Sequence, residues 1–174
     1  WRPCAVTTPT PGEKLMSRLE SMRRRLSAQI DGLNWAAGQI SDLQGDVLEL
    51  GLGNGRTYDH LRENLPDRRI WVIDRVLQPH PSCIPPSDCF LQGEAEEMLV
   101  ELEKRGKRMA LAHYDFGFGV KELDVQEGGR LSPLIRSLMV DRGLVVSQQP
   151  LLGFEQINGP DTIEPGRYRF YRAA

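Results

Sequence analysis

The chain has 174 residues, a length that suits one domain and leaves little room for two. Hydrophobic residues make up 40% and charged residues 26%, which excludes a disordered, collagenous or disulfide-stapled chain. With 22 Lys and Arg against 24 Asp and Glu the net charge is −2, so no global field draws nucleic acid or an anionic membrane.

A Pro-rich lead ends in Thr10-Pro11-Gly12-Glu13, which reads as a capping box with Pro at the first helical position. Leu15, Leu19, Met22, Leu26 and Ile30 follow at spacings of three and four and predict one buried stripe. A second helical piece is expected around Trp35, Ala36, Ile40 and Leu43. From Asp46 the period changes. Val47-Leu48-Glu49-Leu50 predicts a first strand entering a Gly-rich turn, and Arg56 to Leu65 a helix closed by Pro66. Arg69 to Ile73 predicts a second strand, ended by Asp74. The stretch 75–88, with Pro79, Pro81, Pro85 and Pro86, predicts a loop. Cys89–Gln92 reads as a third strand, Ala95–Arg105 as a helix, and Met109–Tyr114 as a fourth strand. Leu131, Leu134, Ile135 and Leu138 predict a helix that Ser132-Pro133 caps and Gly143 ends. Leu144–Ser147 is a fifth strand. Phe154–Ile157 and Tyr168–Tyr171, with no helical pattern between them, predict a terminal antiparallel hairpin.

Alternating strands and helices from 46 to 147 predict a parallel sheet covered on both faces, with ligands at the carboxyl ends of its strands. The segment Val47-Leu48-Glu49-Leu50-Gly51-Leu52-Gly53-Asn54-Gly55 has the context a phosphate or cofactor loop requires, after a strand and before a helix. Glycines there let the backbone turn tightly and let a ligand approach amides at a helix start. Asp74 ends the next strand and offers a carboxylate to the two hydroxyls of a ribose.

Glu49-Leu50-Gly51-Leu52-Gly53-Asn54-Gly55 resembles the first motif of class I S-adenosylmethionine-dependent methyltransferases, and Asp74 resembles their second. Gln92-Gly93-Glu94 is similar to the turn where that family meets the adenine. The resemblance covers about residues 45–172. It implies an α/β, Rossmann-like, seven-stranded and mostly parallel sheet with a terminal antiparallel hairpin and helices on both faces. Residues 1–44 are then an N-terminal helical extension, and residues 45–174 the cofactor-binding methyltransferase domain. It further implies that Gly51, Gly53, Asn54 and Gly55 pass beneath the methionine portion of S-adenosyl-L-methionine. Glu49 then faces the ammonium, Arg56 and Thr57 meet the carboxylate, and Asp74 holds the ribose. Gln92, Gly93 and Glu94 lie along the adenine, while His113 and Tyr114 border the sulfonium. The Pro-rich 75–88 loop departs from the family pattern, which has a helix after the second strand.

Asp115 follows the fourth strand, beside the place for a methyl acceptor, and with His113 is the candidate catalytic group for removing an acceptor proton. A turn-forming Asp and a core His are the plain alternatives. The expected reaction is in-line methyl transfer to a small-molecule acceptor. A catalytically silent cofactor-binding regulatory or partner subunit is the competing reading. A nicotinamide-dependent oxidoreductase is disfavoured, because Arg56 stands three residues after Gly53, where that fingerprint needs a small side chain. No metal is expected: Ser147-Gln148-Gln149-Pro150 holds no carboxylate, and His80, Cys83 and Cys89 lack zinc spacing. Arg23-Arg24-Arg25 splays around a helix, so it predicts a solvated face and not an RNA patch. The N-terminal helices are expected either to cover the site or to form a homodimer interface. Apolar runs such as Ile70–Ile73 are too short to cross a bilayer. Three sparse cysteines (Cys4, Cys83, Cys89) and the lack of a signal-peptide pattern predict a cytoplasmic location.

Overall fold

The computed structural model describes residues 16–173. Seven strands form one sheet: β1 (Asp46–Leu50), β2 (Ile70–Asp74), β3 (Phe90–Gln92), β4 (Met109–Tyr114), β5 (Met139–Ser147), β6 (Glu155–Ile157) and β7 (Arg169–Arg172). Their order is β3-β2-β1-β4-β5-β7-β6. The first five strands run parallel to one another, and β7 inserts antiparallel between β5 and β6. The expected closing hairpin is therefore present, with its second strand paired on both sides. Among the described residues four α-helices flank the sheet: α1 (Arg18–Gln39), α2 (Arg56–Asn64), α3 (Ala95–Lys104) and α4 (Lys121–Leu138).

Strand alternation divides the core. Leu48, Leu50, Trp71, Ile73, Ala112 and Tyr114 face α3 and α4, where they meet Leu99, Leu102, Leu131 and Ile135. Val47, Val72, Ala110 and Val146 face α1 and α2, where they meet Leu33, Ala36, Tyr58 and Leu61. Few strand residues reach water, which fits a parallel sheet covered on both sides. Between β2 and β3 there is no α-helix, only one short helical turn at Pro81–Cys83, as the prolines foretell.

Several expectations differ from the structure, and one is left untested by it. The capping box at Thr10–Glu13 lies outside the described residues. The two N-terminal helical pieces are one helix, α1, running unbroken to Gln39. Its buried face is Ala28, Gln29, Gly32, Leu33 and Ala36, not the predicted stripe, and Leu19, Met22 and Ile30 stay exposed. Small residues win that face because they let the helix lie close to the sheet: a Cβ on Gly32 would stand 3.2 Å from the Phe170 ring. Finally, α4 begins at Lys121 and carries Pro133 inside it. Ser132 is not a cap. Its Oγ donates to Gly128 O at 2.6 Å and accepts from Leu152 N at 2.8 Å, tying the helix to the segment after β5. Gly143 does not end that helix either. It lies within β5, beside a register shift against β4, with Arg142 before it at φ 61°.

Candidate active site

The carboxyl ends of β1, β2 and β4 converge on the loop Gly51–Gly55, which opens α2. Gly51, Gly53 and Gly55 all have positive φ, the region where a side chain is strained. Space adds a second demand at two of them. A Cβ on Gly55 would come within 2.5 Å of Cys83 Cβ, and one on Gly51 within 3.1 Å of the Phe116 ring. Asp74, at the end of β2, closes the loop from below. Its Oδ2 accepts from Leu52 N at 2.7 Å and Gly53 N at 3.1 Å, and its Oδ1 from Val76 N at 3.1 Å. The two motifs read from the sequence thus meet through backbone amides.

Two cavities flank this contact. One, of about 150 Å³, is lined by Gly51, Asp74, Arg75, Gly93, Glu94 and Phe118, among others. The other, of about 270 Å³, lies toward α1 and is lined by Met22, Arg25, Leu26, Gln29, Gly53, Asn54, Arg56, Thr57, Asp74 and Asp115. Gly51, Asp74 and Phe116 border both. The structure therefore gathers Gly51, Gly53, Asn54, Arg56, Thr57, Asp74, Gly93, Glu94 and Asp115 around one continuous site. Gly55 lies buried beneath it against Cys83. Gln92 turns aside and donates from Nε2 to Arg75 O at 3.1 Å.

Glu49, His113 and Tyr114 do not line either cavity; all three are fully buried. Alternation along β4 sends His113 and Tyr114 to opposite faces of the sheet. Tyr114 lies in the α3–α4 core against the Phe116 ring, and burial, with Glu127 and Asp124 near, pushes its hydroxyl up from the usual tyrosine range. Glu49 and His113 are register partners on neighbouring parallel strands and point to the α1–α2 face. His113 Nδ1 lies 2.8 Å from Glu49 Oε2, while the Thr57 hydroxyl donates to Glu49 Oε1. On the other side of the ring, His113 Nε2 is 3.1 Å from the Tyr168 hydroxyl. Burial alone would lower the His113 pKa, but the charge and hydrogen bond of Glu49 outweigh it, and His113 is held above its ordinary value.

Asp115, just after β4, lines the second cavity. Its side chain is 7% exposed. Oδ2 is held by the Gln29 amide and by Arg25, at 3.2 Å, both from α1. Oδ1 is buried and has no hydrogen-bond partner. Of the Arg23–Arg25 run, Arg23 pairs with Glu20 and Arg24 with Glu164, so only Arg25 turns to the site. Gln29 and Tyr168 carry no local signal, since neither belongs to a motif and both make contacts more than fifty residues away. Phe116 and Phe118 lie in the loop after β4 and line the first cavity. That loop is fixed by the Asp124 carboxylate, which accepts from Phe118 N at 2.6 Å, and by Gln149, which donates to Phe116 O at 3.1 Å.

Residues 16–173 match the family described as S-adenosyl-L-methionine methyltransferase. The chain belongs to that family. Its cofactor is accordingly S-adenosyl-L-methionine, and the enzyme is a methyltransferase of class I fold. An S-adenosyl-L-methionine methyl transferase from Silicibacter pomeroyi DSS-3 is similar over 92% of this chain and 100% of its own, at 36% identity and a TM-score of 0.84. CalS11, a TDP-rhamnose 3'-O-methyltransferase of calicheamicin biosynthesis, shares the fold at 20% identity and a TM-score of 0.57, over 90% of this chain and 80% of its own. So does the methyltransferase NGO1261 from Neisseria gonorrhoeae, at 15% identity and a TM-score of 0.52, over 94% and 76%. No curated protein matches the methyltransferase. Among its described residues no helix is long and apolar enough to cross a membrane.

Proposed function

We propose that this methyltransferase acts on a small-molecule acceptor with an apolar body and a removable O–H or N–H proton, by in-line transfer. The observation that carries this reading is Asp115, whose carboxylate sits on the wall of the cavity that also holds Met22, Leu26 and the glycine loop. One oxygen of that carboxylate is anchored by α1 and the other has no partner. A cavity of this size beside α1 suits a small molecule better than a polymer, and the near-neutral charge supports the same view.

When bound, S-adenosyl-L-methionine supplies a methyl group already activated on a sulfonium. The residues on both sides of the glycine loop fit that group. Gly51 and Gly53 present bare backbone between the two cavities, and no neighbouring atom fills the space that a Cβ on Gly53 would take. Arg56 and Thr57 stand at the start of α2 for a carboxylate, beside Asn54. Asp74 receives three amides, and an ionised carboxylate accepts about four hydrogen bonds, so it keeps capacity for a ribose hydroxyl. Gly93 and Glu94 border the space for the adenine. Asp115 orients the acceptor and takes its proton, while Met22, Leu26 and Phe116 exclude water from it. Alignment of this kind can supply roughly 7–11 kcal/mol of barrier lowering. The sparse cysteines of the sequence support a cytoplasmic setting for the reaction.

Calorimetric titration with S-adenosyl-L-methionine and, separately, NADH tests the cofactor side; binding of the first alone is expected. Asp74→Ala should weaken that binding by about 1–3 kcal/mol, and an unaltered affinity would contradict the placement. Release of S-adenosylhomocysteine in the presence of a panel of small phenols, sugars and amines tests the acceptor side. Asp115→Asn should abolish release with whichever acceptor is turned over, and an unchanged rate would remove Asp115 from the reaction.

A further inference from the structure

Helix α4 reaches the smaller cavity, of about 150 Å³, through a single side chain, Glu127. Its neighbours on the helix seat it there. Asp124, three residues earlier, accepts from Phe118 N at 2.6 Å and holds the loop after β4 against this turn. Gly128, the next residue, leaves no room for a Cβ, which would stand 2.4 Å from Pro150 O. The Glu127 side chain is 14% exposed. Its Oε2 accepts from Arg130 Nη2 at 2.6 Å, and Arg130 also reaches across to Glu96 of α3. Among the described residues nothing donates to Oε1. The Tyr114 hydroxyl, buried in the same α3–α4 core, has no partner, so it does not take that oxygen either.

A carboxylate withdrawn from water, with one oxygen left open toward a cavity, carries a free-energy cost until a donor fills it. The ion pair with Arg130 does not call for that position, because the same pair on the outer face of α4 would keep both carboxylate oxygens in water.

We propose that Glu127 reads the exocyclic amine of the adenine and makes this methyltransferase selective for a cofactor with a 6-amino purine. The proposal rests on the placement of the adenine beside Gly93 and Glu94 given above. Ile73, Phe116 and Phe118 give the cavity apolar walls that suit a flat ring. Of the residues that the motif placed along the adenine, Gln92 donates to Arg75 O and Glu94 is exposed, so the enclosed carboxylate facing the base comes from α4. At the edge of the base the 6-amino group is a donor and N1 an acceptor. Glu127 Oε1 accepts from the amine. Ala95 of the same cavity opens α3, whose first-turn amides no side chain caps, and these offer donors for N1. A 6-oxo purine reverses both roles, setting a carbonyl oxygen against the carboxylate and an N–H against the amides. Arg130 is a positioning residue here: by fixing Oε2 it leaves Oε1 for the base.

Calorimetric titration of the full chain with S-adenosylhomocysteine and with its 6-oxo counterpart, S-inosylhomocysteine, tests this without an acceptor. The parent protein should bind the adenosyl compound about ten- to a hundredfold more tightly, the range of one hydrogen bond to a charged group. In Glu127→Gln the ratio of the two affinities should fall toward one, because the side-chain amide can turn its own N–H to the 6-oxo group. A merely structural part for Glu127 would lower both affinities alike and keep the ratio, and that result would overturn the proposal. Equal binding of the two compounds by the parent protein would overturn it as well, and that measurement stands even if Glu127→Gln does not fold. Binding of neither compound by the parent protein would instead overturn the cofactor placement, and the proposal with it.

Discussion

The two walls of the site are built by different means. On the β2–β3 side the contacts are backbone-rich and lie within neighbouring turns: Asp74 to Leu52, Gly53 and Val76, Gly93 N to Asp74 O, and Gln92 to Arg75 O. On the α1 side the contacts join side chains from distant segments: Asp115 with Arg25 and Gln29 across 90 and 86 residues, and His113 with Tyr168 across 55. The first wall depends on backbone conformation and the second on side-chain chemistry. A steric change should therefore damage the first most, whereas an isosteric polar change should act on the second and leave the first intact.

The largest effect is expected at Gly55. Gly55→Val places a Cβ in the space of Cys83, costing about 1–3 kcal/mol for overpacking, and adds about 1–2 kcal/mol for the left-handed conformation. A denaturant midpoint equal to that of the parent protein would show that the loop has room to spare and that its geometry is not fixed by close approach. Gln29→Leu should come next on the other wall. It keeps the size of the side chain but strips an amide from the buried Asp115 Oδ2, for a loss of about 1–3 kcal/mol. If stability is unchanged, Arg25 or a local shift already satisfies that oxygen.

The Glu49–His113 pair gives a smaller effect, spread over pH. His113 is held above its ordinary value in the folded protein, so the pair's contribution is fully present below about pH 6.5, the unfolded value. It is lost as pH rises through the folded value. Urea unfolding followed from mildly acidic to mildly alkaline pH should show this decline, and Glu49→Gln should flatten it. A decline of the same size in the variant would assign the pH dependence to another group. The smallest effect belongs to Arg25→Ala. Its side chain is 46% exposed, so the ion pair with Asp115 is screened and worth about 0–1 kcal/mol. A larger loss would mean that Arg25 packs or neutralises the site more than its exposure indicates.

Legibility followed the same division. The glycine loop and Asp74 could be placed from their spacing, because a positive φ at a strand end and a carboxylate at the next strand end are local demands. The ends of β1, β4 and α3 followed closely from periodicity and turn residues. The N-terminal stripe misled. Leu19, Met22 and Ile30 have helical spacing, yet the sheet is met by Ala28, Gly32 and Ala36, which permit closer approach. Pro133 misled too, because Ser132 and the preceding glycines let a helix run through it.

The amino-acid sequence alone determined the α/β alternation, the cofactor loop and the carboxylate below it, since these rest on periods of two and 3.6 and on backbone angles only glycine adopts freely. Only the tertiary structure decided what becomes of the remaining polar residues. The register of β1 on β4 sets Glu49 against His113, and the insertion of β7 beside β5 carries Tyr168 to the same face. The seating of α1 brings Gln29 and Arg25 to Asp115. Each of those meetings depends on how separate elements dock, and docking is fixed by the shape of the whole core, which no local pattern encodes.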